Sequence, residues 1–206
     1  MTNRRRQLGS RIRWAGVDVG GPQKGFDVVV LDRHGVICGP VRRTPVADVV
    51  AFLRGHGATI VAVDAPIRPA RKGQKSRQGE RELVKSRICK AYYTPDSKRI
   101  KGNEFYFWMS CGLDLHRALE KARIKNIECF PTASWTMWAG KRGAKSRRGW
   151  TQSYLKALKV PGVPRTLGQD GRDAIAAALT AKTESERRNQ RFGDIRVPRT
   201  KRKPWP

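Results

Sequence analysis

The run Thr59-Ile-Val-Ala-Val63 constrains the fold of this chain more than any other segment. It is apolar at successive positions, so in an extended conformation both of its faces must be covered. That is the situation of a parallel strand inside an α/β sheet. The segments on either side agree. Trp14–Val19 is a short apolar run ending in a Gly-Gly-Pro turn at Gly20–Pro22. Phe26–Leu31 reads as a second strand, and Asp32-Arg-His-Gly35 turns tightly into a third at Val36–Val41. Val46, Val49, Val50 and Leu53 fall at helical spacing, as do Cys111, Leu115, Leu119 and Ala122 further on. Asn126–Phe130 reads as a fifth strand. Thr132–Trp138 and Thr151–Leu158 read as short helices, and Asp173–Ala181 as the opening of a last one. The order β-β-β-α-β-α-β-α predicts an α/β fold with a five-stranded mixed sheet flanked by helices. Strands 1 to 3 are antiparallel, strands 1, 4 and 5 parallel, and strand 1 is central beside strand 4. The adjacent ends of those two strands are where open α/β sheets carry their sites.

Acidic residues are scarce, 17 among 206, which makes those in apolar surroundings informative. Asp18 lies inside Ala-Gly-Val-Asp-Val-Gly-Gly, and Asp64 closes Ile-Val-Ala-Val-Asp-Ala-Pro at the end of strand 4. Glu128 sits in strand 5, within Asn-Ile-Glu-Cys-Phe-Pro. Asp170 and Asp173 are one helical turn apart at the start of the last helix. A buried, unpaired carboxylate is costly and tends to protonate. Several converging on one point need a counter-charge, which a divalent ion supplies. Mg²⁺ and Mn²⁺ prefer such oxygen donors, and two ions about 4 Å apart serve phosphodiester hydrolysis. The candidate metal ligands are therefore Asp18, Asp64, Glu128, Asp170 and Asp173, with Asp18, Asp64 and Asp173 as the catalytic set. Each has a plainer role available: a salt-bridged strand aspartate, a turn cap, or first-turn residues favoured by the helix dipole.

The charge names the partner. Lys and Arg number 44, for a net charge of +27. So large an imbalance repels itself in a compact chain and calls for a polyanion. No apolar run approaches the roughly 20 residues of a membrane span, and the Arg-rich start lacks the apolar stretch of a secretory signal. Nucleic acid is the expected partner, with no membrane. The positive charge gathers at Arg4–Arg13, Arg68–Lys101, Lys141–Arg148 and Lys182–Lys203. Candidate phosphate contacts are Arg68, Arg71, Lys72, Lys75, Arg77, Lys141, Arg142, Arg199, Lys201, Arg202 and Lys203. The domain organisation expected is a basic arm at 1–13, the α/β domain at 14–182, and an aperiodic basic tail at 183–206.

Four segments carry a family resemblance: Gly-Val-Asp-Val-Gly-Gly, Val-Ala-Val-Asp-Ala-Pro-Ile, Glu-Cys-Phe-Pro-Thr-Ala-Ser-Trp and Arg-Asp-Ala-Ile-Ala-Ala-Ala-Leu-Thr-Ala. In this order they resemble the predicted nucleases of domain-of-unknown-function family 429, over roughly Trp14 to Lys182. The last segment, with Asp170 before it, is also similar to the closing motif of RuvC-type resolvases. The resemblance implies a ribonuclease-H-like fold, nuclease activity, and Mg²⁺-binding roles for Asp18, Asp64, Asp170 and Asp173.

Two rival classes match parts of the sequence. Gly-Val-Asp-Val-Gly-Gly also resembles the first phosphate loop of sugar kinases and actin-like ATPases, but no second Asp-x-Gly-x-Gly loop is present. A nucleic-acid- or ribosome-binding protein without catalysis fits the charge, yet gains nothing from carboxylates that face phosphate. Among smaller features, Glu104-Phe-Tyr-Phe-Trp108 reads as a helix-start cluster turned into the core rather than a surface for stacking bases. His116 and Glu120, four apart on a helix, read as a solvated pair. Cys38, Cys89, Cys111 and Cys129 form no C-x-x-C motif and read as reduced thiols, as in the cytoplasm or at the nucleoid.

Overall fold

The structure, a computed structural model, describes residues 12–199 and 202–205. Seven strands form one mixed sheet: β1 (Trp14–Val19), β2 (Phe26–Asp32), β3 (Gly35–Arg43), β4 (Ile60–Asp64), β5 (Lys125–Cys129), β6 (Asn189–Phe192) and β7 (Ile195–Pro198). Their spatial order is β3-β2-β1-β4-β5-β7-β6. β1 to β3 are antiparallel, β4 runs parallel to both β1 and β5, and β7 runs parallel to β5. Five of the seven strands thus stand in the order expected from sequence. The other two correct the five-stranded expectation.

They also correct the expected tail at 183–206. The last helix continues to Ser185, and β6 and β7 then form a hairpin that extends the sheet past β5. Its turn is Gly193-Asp194, with Gly193 at a positive φ of 56°, and Ile195 and Val197 alternate inward across Arg196. Trp205 is buried in the main core, where Lys182 lies over its ring at 5.8 Å. The density of arginine hides this two-residue period in the sequence.

Helices α1 (Val46–Gly55) and α4 (Phe107–Lys121) cover one face of the sheet, packing Val49, Leu53, Leu115 and Leu119 on Ala15, Val17, Val61 and Val63. On the other face lie α5 (Pro131–Ala139), α6 (Arg147–Leu158) and α7 (Gln169–Ser185). Two further helices, α2 (Gln78–Lys85) and α3 (Ser97–Lys101), with a 3-10 turn at Glu104–Tyr106, interrupt the basic stretch after β4. α7 lies directly over β1. A Cβ on Gly16 would sit 2.0 Å from the Ala174 carbonyl oxygen and 2.2 Å from the Ala178 amide nitrogen. The alanine-rich face of α7 and the absence of a side chain at Gly16 together permit that approach. No helix among the described residues is long and apolar enough to cross a membrane.

Candidate metal centre

Strand periodicity decides which acids can meet. Along β1, Trp14 joins the core under α7, whereas Ala15 and Val17 join the opposite core. Asp18 therefore points to the α7 side. By the same alternation Ile60 and Ala62 place Asp64 there, and Val29 and Leu31 place Asp27 there. Asp18 is in register with Asp64 of β4 on one side and with Asp27 of β2 on the other. The N-terminal end of α7 then brings Asp170 and Asp173 over this row.

Asp18, Asp64, Asp170 and Asp173 line one cleft of about 800 Å³, together with Lys24, Lys90, Arg142 and Arg147. Asp18, Asp27 and Asp170 each offer a carboxylate oxygen within 4.8 Å of the others. Among the described residues no hydrogen bond or ion pair reaches the carboxylates of Asp18 or Asp64. Burial, then the charges of Asp173 and Asp170, push the Asp18 carboxyl up to about 8, with Lys24 opposing. Burial, then Asp18 and Asp173, hold the Asp64 carboxyl well above the usual range, with Arg147 opposing. The other acids are held by the protein. Asp173, buried, accepts from Trp135 Nε1 at 2.9 Å, from Gln169 Nε2 at 3.0 Å and from Arg147 at 2.7 Å. Asp170 pairs with Lys24 at 2.8 Å and Arg42 at 3.4 Å, and Arg42 also holds Asp27 at 2.8 Å. An all-carboxylate donor set with two unpartnered members fits a divalent cation.

Asp27 was missed from sequence, although the hairpin register carries it. A turn closed by the Gly20 amide on the Gly25 carbonyl pairs Val19 with Phe26 and hence Asp18 with Asp27. Arg147 and Trp135 were missed because only the tertiary fold brings them to Asp173.

Glu128 does not belong to this row. β5 alternates Ile127 and Cys129 into the α7-side core, so Glu128 turns to the other face. There it is 4% exposed, with its oxygens taken by Arg77 and by the Ile67 amide at 2.9 Å. Arg77 is correspondingly withdrawn from phosphate contact. Burial works against its charge, but the hydrogen bonds and charges of Glu128 and Glu80 more than offset this and hold it ionised. This buried Arg77–Glu80–Glu128 cluster anchors α2, whose sequence is otherwise too polar to announce a helix.

The expected phosphate contacts scatter over the surface. Arg142 lines the acid cleft, and Lys141 is exposed beside it. Arg68 and Arg71 line a separate groove against the β6–β7 turn, where Arg68 pairs with Asp194. Lys72 and Lys75 are exposed in the same loop. Arg202 and Lys203 immediately precede Pro204 and Trp205, and Trp205 shares Lys182 with Trp14 and so lies at the opposite end of β1 from Asp18. Arg199 is exposed just beyond β7, with its amide on the Arg188 carbonyl. Lys201 and the basic arm before Ile12 lie outside the described residues.

His116 is buried rather than solvated, its ring nitrogens 2.7 Å from Asn126 Oδ1 and 3.2 Å from the Ala65 carbonyl. It braces the chain just after Asp64. All four cysteines are free. Burial pushes the Cys89 thiol up to about 12 and raises Cys129 strongly, with Asp64 adding to both, so neither supplies a thiolate.

No protein-family model matches the chain, and no curated protein matches it. The resemblance to domain-of-unknown-function family 429 thus rests on the four quoted segments alone. Among solved structures, RuvC from Thermus thermophilus is similar to this chain at 15% identity and a TM-score of 0.46. The match covers 85% of this chain and 96% of that one.

Proposed function

We propose that this protein is a metal-dependent nuclease that hydrolyses phosphodiester bonds of DNA or RNA. The observation that supports this reading is the pair Asp18 and Asp64. They stand side by side in register, desolvated and without a partner, in a cleft that also holds Asp170 and Asp173 and four cations, Lys24, Lys90, Arg142 and Arg147. A protein that only bound phosphate would place cations there.

Asp18, Asp64, Asp170 and Asp173 are the residues that would hold the ions, with Asp27 adjacent to Asp18 and Asp170. Bound Mg²⁺ or Mn²⁺, two ions in the full site, supplies the counter-charge, lowers the pKa of an attacking water and stabilises the leaving oxygen. The chain's own residues set the geometry. Strand register fixes Asp18 beside Asp64, and Trp135 and Gln169 orient Asp173. Arg147, half exposed, holds Asp173 and lines the cleft, where it would be placed to neutralise a substrate phosphate. Lys24 and Arg42 likewise hold Asp170. Lys90 and Arg142 at the rim neutralise flanking phosphates.

The test is cleavage of labelled single- and double-stranded DNA and RNA in Mg²⁺, in Mn²⁺ and in chelator. Wild type should cut only with metal. Asp18→Asn and Asp64→Asn should each lower the rate at least about 100-fold while binding in chelator stays equal or tightens, because Asn cannot hold the ion yet adds no charge facing phosphate. Full activity in either variant would reject the assignment. Tight binding without cleavage of any substrate would make the chain a binding protein.

A further inference from the structure

Several aromatic residues beside the acid cleft are exposed, while Trp108 among them packs against the core. Tyr92, in the loop after α2, is 65% exposed, and Phe105, in the 3-10 turn, is 58% exposed. Tyr93 and Phe107 beside them are 44% and 37% exposed. Single exposed apolar residues need no explanation, but a contiguous aromatic group does. Tyr92, Phe105, Tyr106 and Trp108 touch edge to face. Tyr92 lies 6.2 Å from Phe105 at 64° and 6.4 Å from Trp108 at 71°, and Phe105 lies 5.1 Å from Tyr106 at 83°. Each such contact sets the edge of one ring on one face of the other and leaves the remaining faces of the pair uncovered by it.

Two further facts define what the group can hold. It is continuous with the cleft, because Tyr92 and Trp108 line the same cavity as Asp18 and Asp64. It is also bordered by cations, with Lys90 in the cleft and Lys98, Arg99 and Lys101 exposed on α3. A ring set between backbone-neutralising cations is the arrangement on which bases of a single strand stack. A base inside a continuous duplex has both faces covered by its neighbours and offers these rings only an edge. We propose that the Tyr92–Phe105 platform, with Trp108 at its inner rim, is a stacking site for unpaired bases. The substrate class is then a nucleic acid, DNA or RNA, with unpaired nucleotides beside the phosphate presented to the carboxylates. This deepens the nuclease reading and rests on it for the identity of the neighbouring cleft.

Binding in chelator tests the platform without requiring catalysis, so its failure is separable from failure of the nuclease assignment. The probes are a 20-nucleotide single strand carrying 2-aminopurine, its RNA counterpart, and the same sequence as a duplex. Single strands should bind with a change in 2-aminopurine emission. The Tyr92→Ala/Phe105→Ala double variant should lose about tenfold or more of single-strand affinity, the scale of one or two lost stacking contacts, and less than about twofold on duplex. Tyr92→Phe should restore the emission change and Tyr92→Leu should not, since only the former keeps a π-face. Both residues are exposed, so the variants should fold, which circular dichroism checks. Preference for DNA or RNA identifies the source of the bases. Equal losses on single strand and duplex, or none on either, would overturn the proposal. Dissociation of a dimer by the double variant, with unchanged single-strand binding, would assign the patch to a second copy instead.

Discussion

Metal binding at the proposed site should expel protons, and Asp18 sets the scale. Without a cation its carboxyl ionises near pH 8, because burial, Asp173 and Asp170 oppose the charge. A divalent ion takes the carboxylate form, so below pH 8 each ion bound at Asp18 should release about one proton, and log K should climb by about one per pH unit. At pH 6 only about 1% of Asp18 is ionised, which places affinity there about 100-fold below its limit above pH 8. Asp64, also held well above the usual range, adds to the slope wherever it is still protonated before the ion binds. Isothermal titration with Mg²⁺ and Mn²⁺ at pH 6, 7 and 8, in buffers of different ionisation enthalpy, yields both affinity and protons released. Asp18→Asn should weaken binding and lower the slope by about one. The same shift has a consequence for stability. The folded pKa lies above the unfolded one, so from about pH 4 to pH 8 the unfolded chain gives up a proton that the folded chain keeps. Metal-free stability should therefore be greatest below about pH 4 as far as this group is concerned. It should fall towards pH 8 by on the order of 5 kcal/mol and change no further above it. Metal-free Asp18→Asn should melt above wild type at pH 8, and below it when both are saturated with metal. Affinity independent of pH between 6 and 8, with no proton release, would refute the reasoning.

Glu128→Gln separates structural from metal-bound acids. It should destabilise the fold by about 3 kcal/mol, by leaving Arg77 short of a buried partner, and should leave metal affinity within about twofold, as read by denaturant melts and calorimetry. A large loss of affinity with little loss of stability would return Glu128 to the ion site. Gly16→Ala should cost about 3 kcal/mol or more, because the new methyl meets backbone atoms of α7 rather than movable side chains. It should also weaken metal binding by lifting Asp173 away from Asp18, and a near-neutral melt would contradict the close approach. Trp205→Ala should lower stability by about 3 kcal/mol through the cavity it leaves in the core. A change below about 0.5 kcal/mol would instead support a loose C-terminal tail.

The apolar patterns determined the central five strands, and the scarcity of acids in a strongly basic chain singled out Asp18, Asp64, Asp170 and Asp173. Both signals are local. A strand covered on both faces must be apolar along its length, as Ile60–Val63 is, and a carboxylate inside such a run stands out wherever it lies. Other features depended on partners far away in the chain. Glu128 looks like Asp64 in sequence, since each is an acid in an apolar strand. Strand parity alone turned it to the opposite face, where Arg77 neutralises it. The segments 78–85 and 189–198 carry too many charges for their own periodicity to show. Their order comes from a buried ion cluster and from the exposed edge of β5, neither of which exists until the sheet has formed. Asp27, Arg147 and Trp135 became part of the site only when the hairpin register and α7, pressed on Gly16, brought them there. The aromatic group at 104–108 read as core, and Trp108 does pack there, but Phe105 and Phe107 are exposed. Which of these rings stays outside depends on packing of α4 against the sheet, a contact that does not exist until the sheet has formed.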